Sequence, residues 1–308
     1  MRTASIDIGT NTIRLLISER TSQDVFKKLH ISRIITRLGE GFSEDKRLLN
    51  SNAMDRSLDA LCNFSKVIKE YNVSKIRSVA TSVVRESENG REFVGQAADK
   101  AGLKVEVISG EEEARLTVLG VLKSVDTNTA DCLIFDIGGG STEYIYMHNS
   151  KIVNLRSINL GVVHLTEEFL KNELETQEEI TQLSQHIQQI LRRELQSFDI
   201  LKKKDLILIG TAGTPTTLAA IELKLKEYNP GLVNNFVLTE DVVLSTIDKL
   251  IKIPKKERAN TIGLEKGRED ILIAGALILV ETLRIFSLNK LIVSDGGVLE
   301  GIAYSQLD

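Results

Sequence analysis

Tryptophan is absent from the 308 residues, and the chain holds three prolines, three methionines and two cysteines. Cys62 and Cys132 make neither a disulfide framework nor a paired zinc motif, which points to a reducing compartment, the cytoplasm. His30, His148, His164 and His186 lie scattered without metal-ligand spacing. An excess of positive charge is lacking too. Lys and Arg number 39 against 43 Asp and Glu, a formal net charge of -4, so no global field draws nucleic acid or an anionic membrane. Long apolar runs are missing. The greasiest segment, ILIAGALILV from Ile271 to Val280, falls short of the ~20 residues a bilayer span requires and reads as a buried helix. MRTASIDIG lacks the apolar region of a signal peptide. What remains is ordinary globular material, 42% hydrophobic and 27% charged, and longer than one core usually grows, so two domains are expected.

Strand and helix patterns alternate along the chain, the signature of an α/β protein. Ser5 to Glu19 reads as strand, glycine turn and strand. Met54, Leu58, Leu61, Phe64, Ile68 and Tyr71 fall at helical spacing. KIRSVATS predicts a strand ending in a polar loop, REFVGQAADKAG a helix closed by Gly102, KVEVIS a strand and EEEARLTVLGVLKSV a helix. The polar turn DTNTAD (Asp126 to Asp131) is the predicted boundary between domains 1–125 and 126–308, with a C-terminal helix at about 297–308 returning to the first. The pattern restarts with CLIFDIGGGSTEYIYMH and KIVNLRSINLG. A long helix then covers EEITQLSQHIQQILRRELQSF, with Ile180, Leu183, Ile187 and Phe198 on one face. DLILIGTAGTPTTLAA and LIVSDGGVLEGIAYSQL each read as strand, glycine turn and helix; EDVVLSTIDKLI and EDILIAGALILVETLRIF read as helices.

The most informative feature is an internal repeat. DIGTNTIRLL from Asp7 matches DIGGGSTEYI from Asp136, at an offset of 129 residues. Each copy follows an apolar run and returns at once to β-compatible residues. One such turn is common; two, each opening a proposed half, predict paired hairpins from a duplicated domain, facing each other across a cleft.

A strand–glycine turn–strand exposes several backbone N–H groups at once, a nest that suits phosphate oxygens without a cationic side chain. Gly138, Gly139 and Gly140 permit close approach, and Ser141 and Thr142 add hydroxyls. Asp136, at a strand end, suits a hydrated Mg²⁺, which takes one or two carboxylates, and Asp7 can do the same from the other half. GTAGTPTTLAA (Gly210 to Ala220) opens a helix whose N–H groups suit an anion. SGEEEARL begins another helix, in which Glu111, Glu112 and Glu113 favour the dipole or supply a base for water. Spacing leaves the choice among the three open. Ser82 and Arg85, just past a strand, offer phosphate contacts.

DIGTNTIRLL, ATSVVRES, ISGEEEARL, DIGGGSTEYI, GTAGTPTTLAA and GREDILIAGALIL, in this order, resemble the exopolyphosphatase / guanosine pentaphosphate phosphohydrolase family. The resemblance spans essentially the whole chain. It implies two ribonuclease H-like domains of the acetate kinase–sugar kinase–actin–chaperone ATPase superfamily, related by duplication, with the active site in the interdomain cleft. It implies metal-dependent (Mg²⁺ or Mn²⁺) release of terminal phosphate from polyphosphate, conversion of pppGpp to ppGpp, or both. Position by position, it makes Glu113 the catalytic glutamate. Asp136 falls at the metal, with Asp7 contributing, and Glu143 fixes the water or metal. Substrate contacts fall on Asp7, Gly9, Thr10, Asn11, Arg14, Ser82, Arg85, Gly138, Gly139, Gly140, Ser141, Gly210, Thr211 and Gly213. Two departures stand out. The family usually reads Gly-Leu-Arg-Glu-Gly where this chain has Gly297-Val298-Leu299-Glu300-Gly301, so a cation is replaced by Leu299. Longer relatives continue into an HD-type domain where this chain ends at Asp308. A homodimer is compatible with the apolar C-terminal elements; neither nucleic acid nor membrane is expected as a partner. The alternatives are an ATP-dependent small-molecule kinase of the same superfamily and a non-catalytic nucleotide-sensing module.

Overall fold

The computed structural model describes the chain except residues 23–24, 44, 126–130, 197, 199–205 and 308. The chain divides into two compact units, Met1–Gly120 with Gly296–Asp308, and Val121–Asp295. The second unit thus begins ahead of the DTNTAD turn, whose residues 126–130 lie outside the described ones, and it ends before the last helix.

The first unit opens with β1 (Arg2–Ile8), β2 (Thr12–Ser22) and β3 (Val25–Ile35), followed by α1 (Ser51–Glu70) and β4 (Lys75–Ala80). Then come α2 (Ser82–Glu86), α3 (Gly90–Ala101), β5 (Val105–Val107) and α4 (Gly110–Leu122). The sheet order is β3-β2-β1-β4-β5, with β1–β2 and β2–β3 antiparallel and β1–β4 and β4–β5 parallel. The Asn50 side chain accepts from Asn52 N to start α1, which buries Met54, Leu58, Leu61, Phe64 and Ile68. Gly102, in the left-handed region at φ 67°, closes α3 as its motif predicts. Edge strand β3 escaped the sequence reading. Its residues alternate between exposed and half-buried, so neither face carries a clean apolar stripe.

The second unit repeats the plan. It runs β6 (Asp131–Ile137), β7 (Thr142–His148), β8 (Lys151–Ile158), α5 (Val162–Phe169), α6 (Gln177–Glu194), β9 (Ile207–Thr211) and α7 (Gly213–Glu222). It continues with α8 (Pro230–Val233), β10 (Val237–Thr239), α9 (Glu240–Leu250), a 3-10 turn at Lys255–Asn260, α10 (Leu272–Ile285) and β11 (Lys290–Val293). The order β8-β7-β6-β9-β11 reproduces β3-β2-β1-β4-β5, with β10 added antiparallel at the edge. Both are mixed sheets of the ribonuclease H-like kind. The long helix stops at Glu194 rather than reaching Phe198, which is buried beyond the helix end. The greasy helix α10 is buried from Leu272 to Leu283, as its composition requires.

The chain then returns to the first unit as α11 (Val298–Tyr304). A Cβ on Gly120 would lie 2.0 Å from Gly297 O, and one on Gly301 would lie 1.9 Å from Leu116 O. These glycines therefore let α4 and α11 meet backbone to backbone, which fixes the helix that carries Glu113.

Candidate active site

The two hairpin tips are built alike. In the first, Gly9 N donates to Thr12 O at 3.0 Å; in the second, Gly138 N donates to Ser141 O at 2.9 Å. The neighbouring tip carbonyls are also taken. Thr10 O accepts from Gly39 N at 2.8 Å, and Asn11 O accepts from Thr36 and Arg37 N. Gly138 O and Gly139 O accept from Val162 and Val163 N at 3.1 and 3.0 Å, at the start of α5. Carbonyl groups repel phosphate, so tying them into backbone bonds removes the repulsion and leaves a nest of N–H groups at each tip. Gly9 and Gly138 are spent on closing the turns, so the nests centre on Thr10–Asn11 and Gly139–Gly140.

In the first unit Asp7, 5% exposed, stands opposite Arg14 in the β1–β2 register. Arg14 Nε donates to Asp7 Oδ2 at 2.8 Å, and Nη2 donates to the same oxygen. Ser82 begins α2, a short helix where the sequence reading expected a loop. Its Oγ is buried without a hydrogen-bonding partner in the protein. The amide oxygen Asn11 Oδ1 is in the same state; as an acceptor it suits a bound water rather than phosphate.

The structure sorts the three glutamates of α4. Glu111 is held below the usual carboxylate range by the Ser109 hydroxyl and by its own backbone N–H, the pattern of a helix start. Ser109 Oγ also accepts from Glu112 N at 3.2 Å, a side-chain cap. Glu112 pairs with Arg77 at 3.2 Å and Arg115 at 3.5 Å, on the surface. Glu113 alone is buried, 7% exposed, and its Oε2 accepts from Arg85 at 3.0 Å. Arg85 also donates to Ile108 O at 3.1 Å. The arginine assigned to phosphate by its sequence position is thus committed first to holding Glu113.

The second unit carries a polar row across four strands. Thr211 on β9 faces Asp136 on β6, Asp136 faces Glu143 on β7, and Glu143 faces Ser157 on β8. Glu143 Oε1 accepts from Ser141 Oγ at 2.8 Å and from Ser157 Oγ at 2.7 Å. The equivalent row of the first unit reads Val79, Asp7, Arg14 and Arg33. Where one copy sets arginine against the aspartate, the other sets a glutamate. Like charges directly opposite destabilise a strand pair, and a divalent cation relieves them. Among the described residues no group of three or more His, Cys, Asp or Glu forms a metal cage. Mg²⁺ needs none, since it keeps waters and takes one or two carboxylates. Asp136 and Glu143 fit such an ion. Asp7 differs in being ion-paired with Arg14 across the β1–β2 register.

The third glycine loop divides into two roles. Gly210 lies inside β9, and a Cβ there would stand 2.8–3.0 Å from Leu291, Phe135 and Pro215, so core packing explains its bareness. Gly213 starts α7, and a Cβ there would lie 2.1 Å from Arg268 Nη1. Arg268, 9% exposed, therefore packs against the N-terminal turn of α7 and adds its charge to the positive end of that helix, a contact no local pattern announces. Ala212 between them adopts φ 69°, a strained choice for a residue with a Cβ. Leu299 is 3% exposed and packs with Leu16 and Ala303 of its own unit, so its position serves the core of this chain.

Strand order, repeated hairpins and repeated register define the chain as a two-domain ribonuclease H-like protein. A model of the Ppx/GppA phosphatase family matches residues 16–308, and the chain belongs to that family. It is 34% identical over 312 residues to a bifunctional 3-dehydroquinate synthase/phosphatase of Fusobacterium nucleatum. That match takes in 97% of this chain and 46% of the relative, so the chain spans about half that protein's length. It is 30% identical over 316 residues to exopolyphosphatase 2 of Mycobacterium tuberculosis, covering 99% of this chain and 98% of the relative. Among solved structures, the Aquifex aeolicus family member superposes with a TM-score of 0.82 at 33% identity, over 100% of this chain and 97% of that one. An exopolyphosphatase of Cytophaga hutchinsonii gives 0.90 at 27% identity, over 100% and 98%.

Proposed function

We propose that the protein is an exopolyphosphatase that releases terminal phosphate from inorganic polyphosphate, with pppGpp, converted to ppGpp, as a second substrate of the same site. The observation that carries the reading is the sorting of α4: of three adjacent glutamates, only Glu113 is buried and held by an arginine. Support comes from the exopolyphosphatase names of relatives matched over nearly their full length.

In this reading the N–H groups of Thr10–Asn11 and Gly139–Gly140 donate to phosphate oxygens, and Ser82 Oγ adds a hydroxyl donor. Glu113 orients a water and takes its proton as the water attacks the terminal phosphorus. The P–O bond to the next phosphate breaks, and the chain leaves one unit shorter. Phosphoryl transfer asks mainly for such positioning and charge stabilisation. Arg85, donating to Glu113 Oε2 at 3.0 Å, keeps the carboxylate aimed. Asp136 and Glu143 would hold a divalent cation, Mg²⁺ or Mn²⁺, which supplies charge neutralisation at the phosphate oxygens when bound.

The test is phosphate release from short polyphosphate, long polyphosphate and pppGpp, with Mg²⁺ and with chelator, for the native protein and Glu113→Gln. Release from polyphosphate that stops with chelator, and a loss of at least about 10²-fold in Glu113→Gln with polyphosphate binding retained, is expected. Near-normal turnover in Glu113→Gln removes that residue from the chemistry.

A further inference from the structure

Ser157 belongs to no motif, and it sits on β8, an edge strand, with its side chain exposed. Its hydroxyl nevertheless makes a 2.7 Å hydrogen bond to Glu143 Oε1, a carboxylate only 1% exposed. Register dictates the contact, because Glu143 and Ser157 are directly opposed in the β7–β8 pair. Ser141 Oγ reaches the same oxygen at 2.8 Å from the hairpin tip. Two hydroxyl protons thus converge on one carboxylate oxygen, one borne by the loop and one by the sheet.

We propose that Ser157 is a positioning residue for Glu143. It fixes the carboxylate against the sheet so that the Asp136–Glu143 pair presents a constant geometry to a divalent cation. The proposal rests on the role given to Glu143 above. Two features separate it from a merely structural contact. An exposed serine on an edge strand contributes nothing to the core, so packing does not account for its contact with a buried carboxylate. The bond it makes also duplicates the one from Ser141, a redundancy that stability does not need but that a ligand-holding carboxylate does, since the hydrogen bonds behind a ligand set its orientation.

The experiment compares Ser157→Ala, Ser157→Thr and Glu143→Ala in the full chain. Readouts are kcat and KM for polyphosphate, Mn²⁺ affinity by electron paramagnetic resonance in the absence of substrate, and thermal melting. Ser157→Ala is expected to lose about 10-fold in kcat and about 10-fold in Mn²⁺ affinity, the lower end for outer-shell partners, with KM and melting temperature unchanged. Ser157→Thr keeps the hydroxyl and is expected to restore both. The double variant Ser141→Ala/Ser157→Ala is expected to lose more than the two single losses combined, because either hydroxyl alone partly holds the oxygen. Native kcat and Mn²⁺ affinity in Ser157→Ala, or equal loss in Ser157→Ala and Ser157→Thr, overturns the proposal. If Glu143→Ala itself keeps native turnover and Mn²⁺ affinity, the role of Glu143 falls and the proposal with it. An inactive Glu143→Ala beside a native Ser157→Ala rejects the positioning role alone.

Discussion

Gly161 offers a sharp test of how the second hairpin is held. Its backbone lies at φ -105° and ψ 139°, which any residue adopts, so the requirement for glycine is one of space. A Cβ at this position would stand 2.2 Å from Gly139 O and 2.3 Å from Gly140 C and Cα. Ordinary contact begins a little above 3 Å, so Gly161→Ala must push the tip and the start of α5 apart by ~1 Å. That displacement stretches the bonds from Val162 N and Val163 N to Gly138 O and Gly139 O, now 3.1 and 3.0 Å. Overpacking of this kind costs about 1–3 kcal/mol. At about 2–4 °C per kcal/mol for a unit of this size, the melting temperature falls by roughly 2–12 °C. The effect on turnover is larger in proportion, because a misplacement of about 1 Å costs about 10²-fold. The control is the same chemical change at Gly95, within α3, where a Cβ meets nothing within 4 Å. Gly95→Ala is expected to raise stability by about 0.5–1 kcal/mol and leave phosphate release alone. Scanning calorimetry and steady-state phosphate release on both variants decide the matter. If Gly161→Ala melts within 1 °C of the native protein and turns over within twofold, the tip is not clamped by α5 as described.

Two further outcomes follow from the packing and the caps. Arg258 and Glu175 form an ion pair with both side chains fully buried, and Arg258 also donates to the carbonyls of Leu250, Ile253 and Glu269. Arg258→Leu strands the carboxylate with only Lys255, 3.7 Å away, and is expected to cost about 3–5 kcal/mol, read as an early calorimetric transition of the second unit. At Glu179, partial burial raises the pKa, but hydrogen bonds from the Thr176, Asn172 and Lys171 backbone outweigh it and bring the group to about 2. A depressed carboxylate contributes stability above its unfolded value and loses it as the pH falls. Glu179→Ala is therefore expected to melt lower at pH 7 and to show a shallower decline between about pH 4.5 and 2, measured by circular dichroism across that range.

Both hairpins were legible in the sequence because each packs its information into ten consecutive residues, and so was the order of most strands and helices. The third strand of the first sheet was not, because an edge strand with two half-exposed faces leaves no period to read. The short helices α2 and α5 are set by the loops they cap rather than by their own pattern. Spacing along α4 could not separate Glu111, Glu112 and Glu113; what separates them is the partner each meets, Ser109 for Glu111, Arg77 of β4 for Glu112 and Arg85 of α2 for Glu113. Arg268 and Ser157 were invisible for the same reason. Each acquires its place only when a partner distant in sequence, Gly213 or Glu143, is folded against it.

The return of the chain at Gly296 has a consequence for the order of events at the ribosome. The second unit is one continuous stretch, complete once Asp295 has emerged, while the first is left unfinished for the whole of that interval. Until α11 arrives, the nascent first unit displays bare Val79, Ile108, Leu116 and Leu16, the residues that Val298, Leu299, Ile302 and Ala303 later cover. Gln306 then ties to Ala4 O and Ser5 Oγ, bonding the segment after α11 to β1. At about 5–20 residues per second, the half synthesised first waits roughly 10–35 s for its closing helix, so the earlier half is the later to be finished.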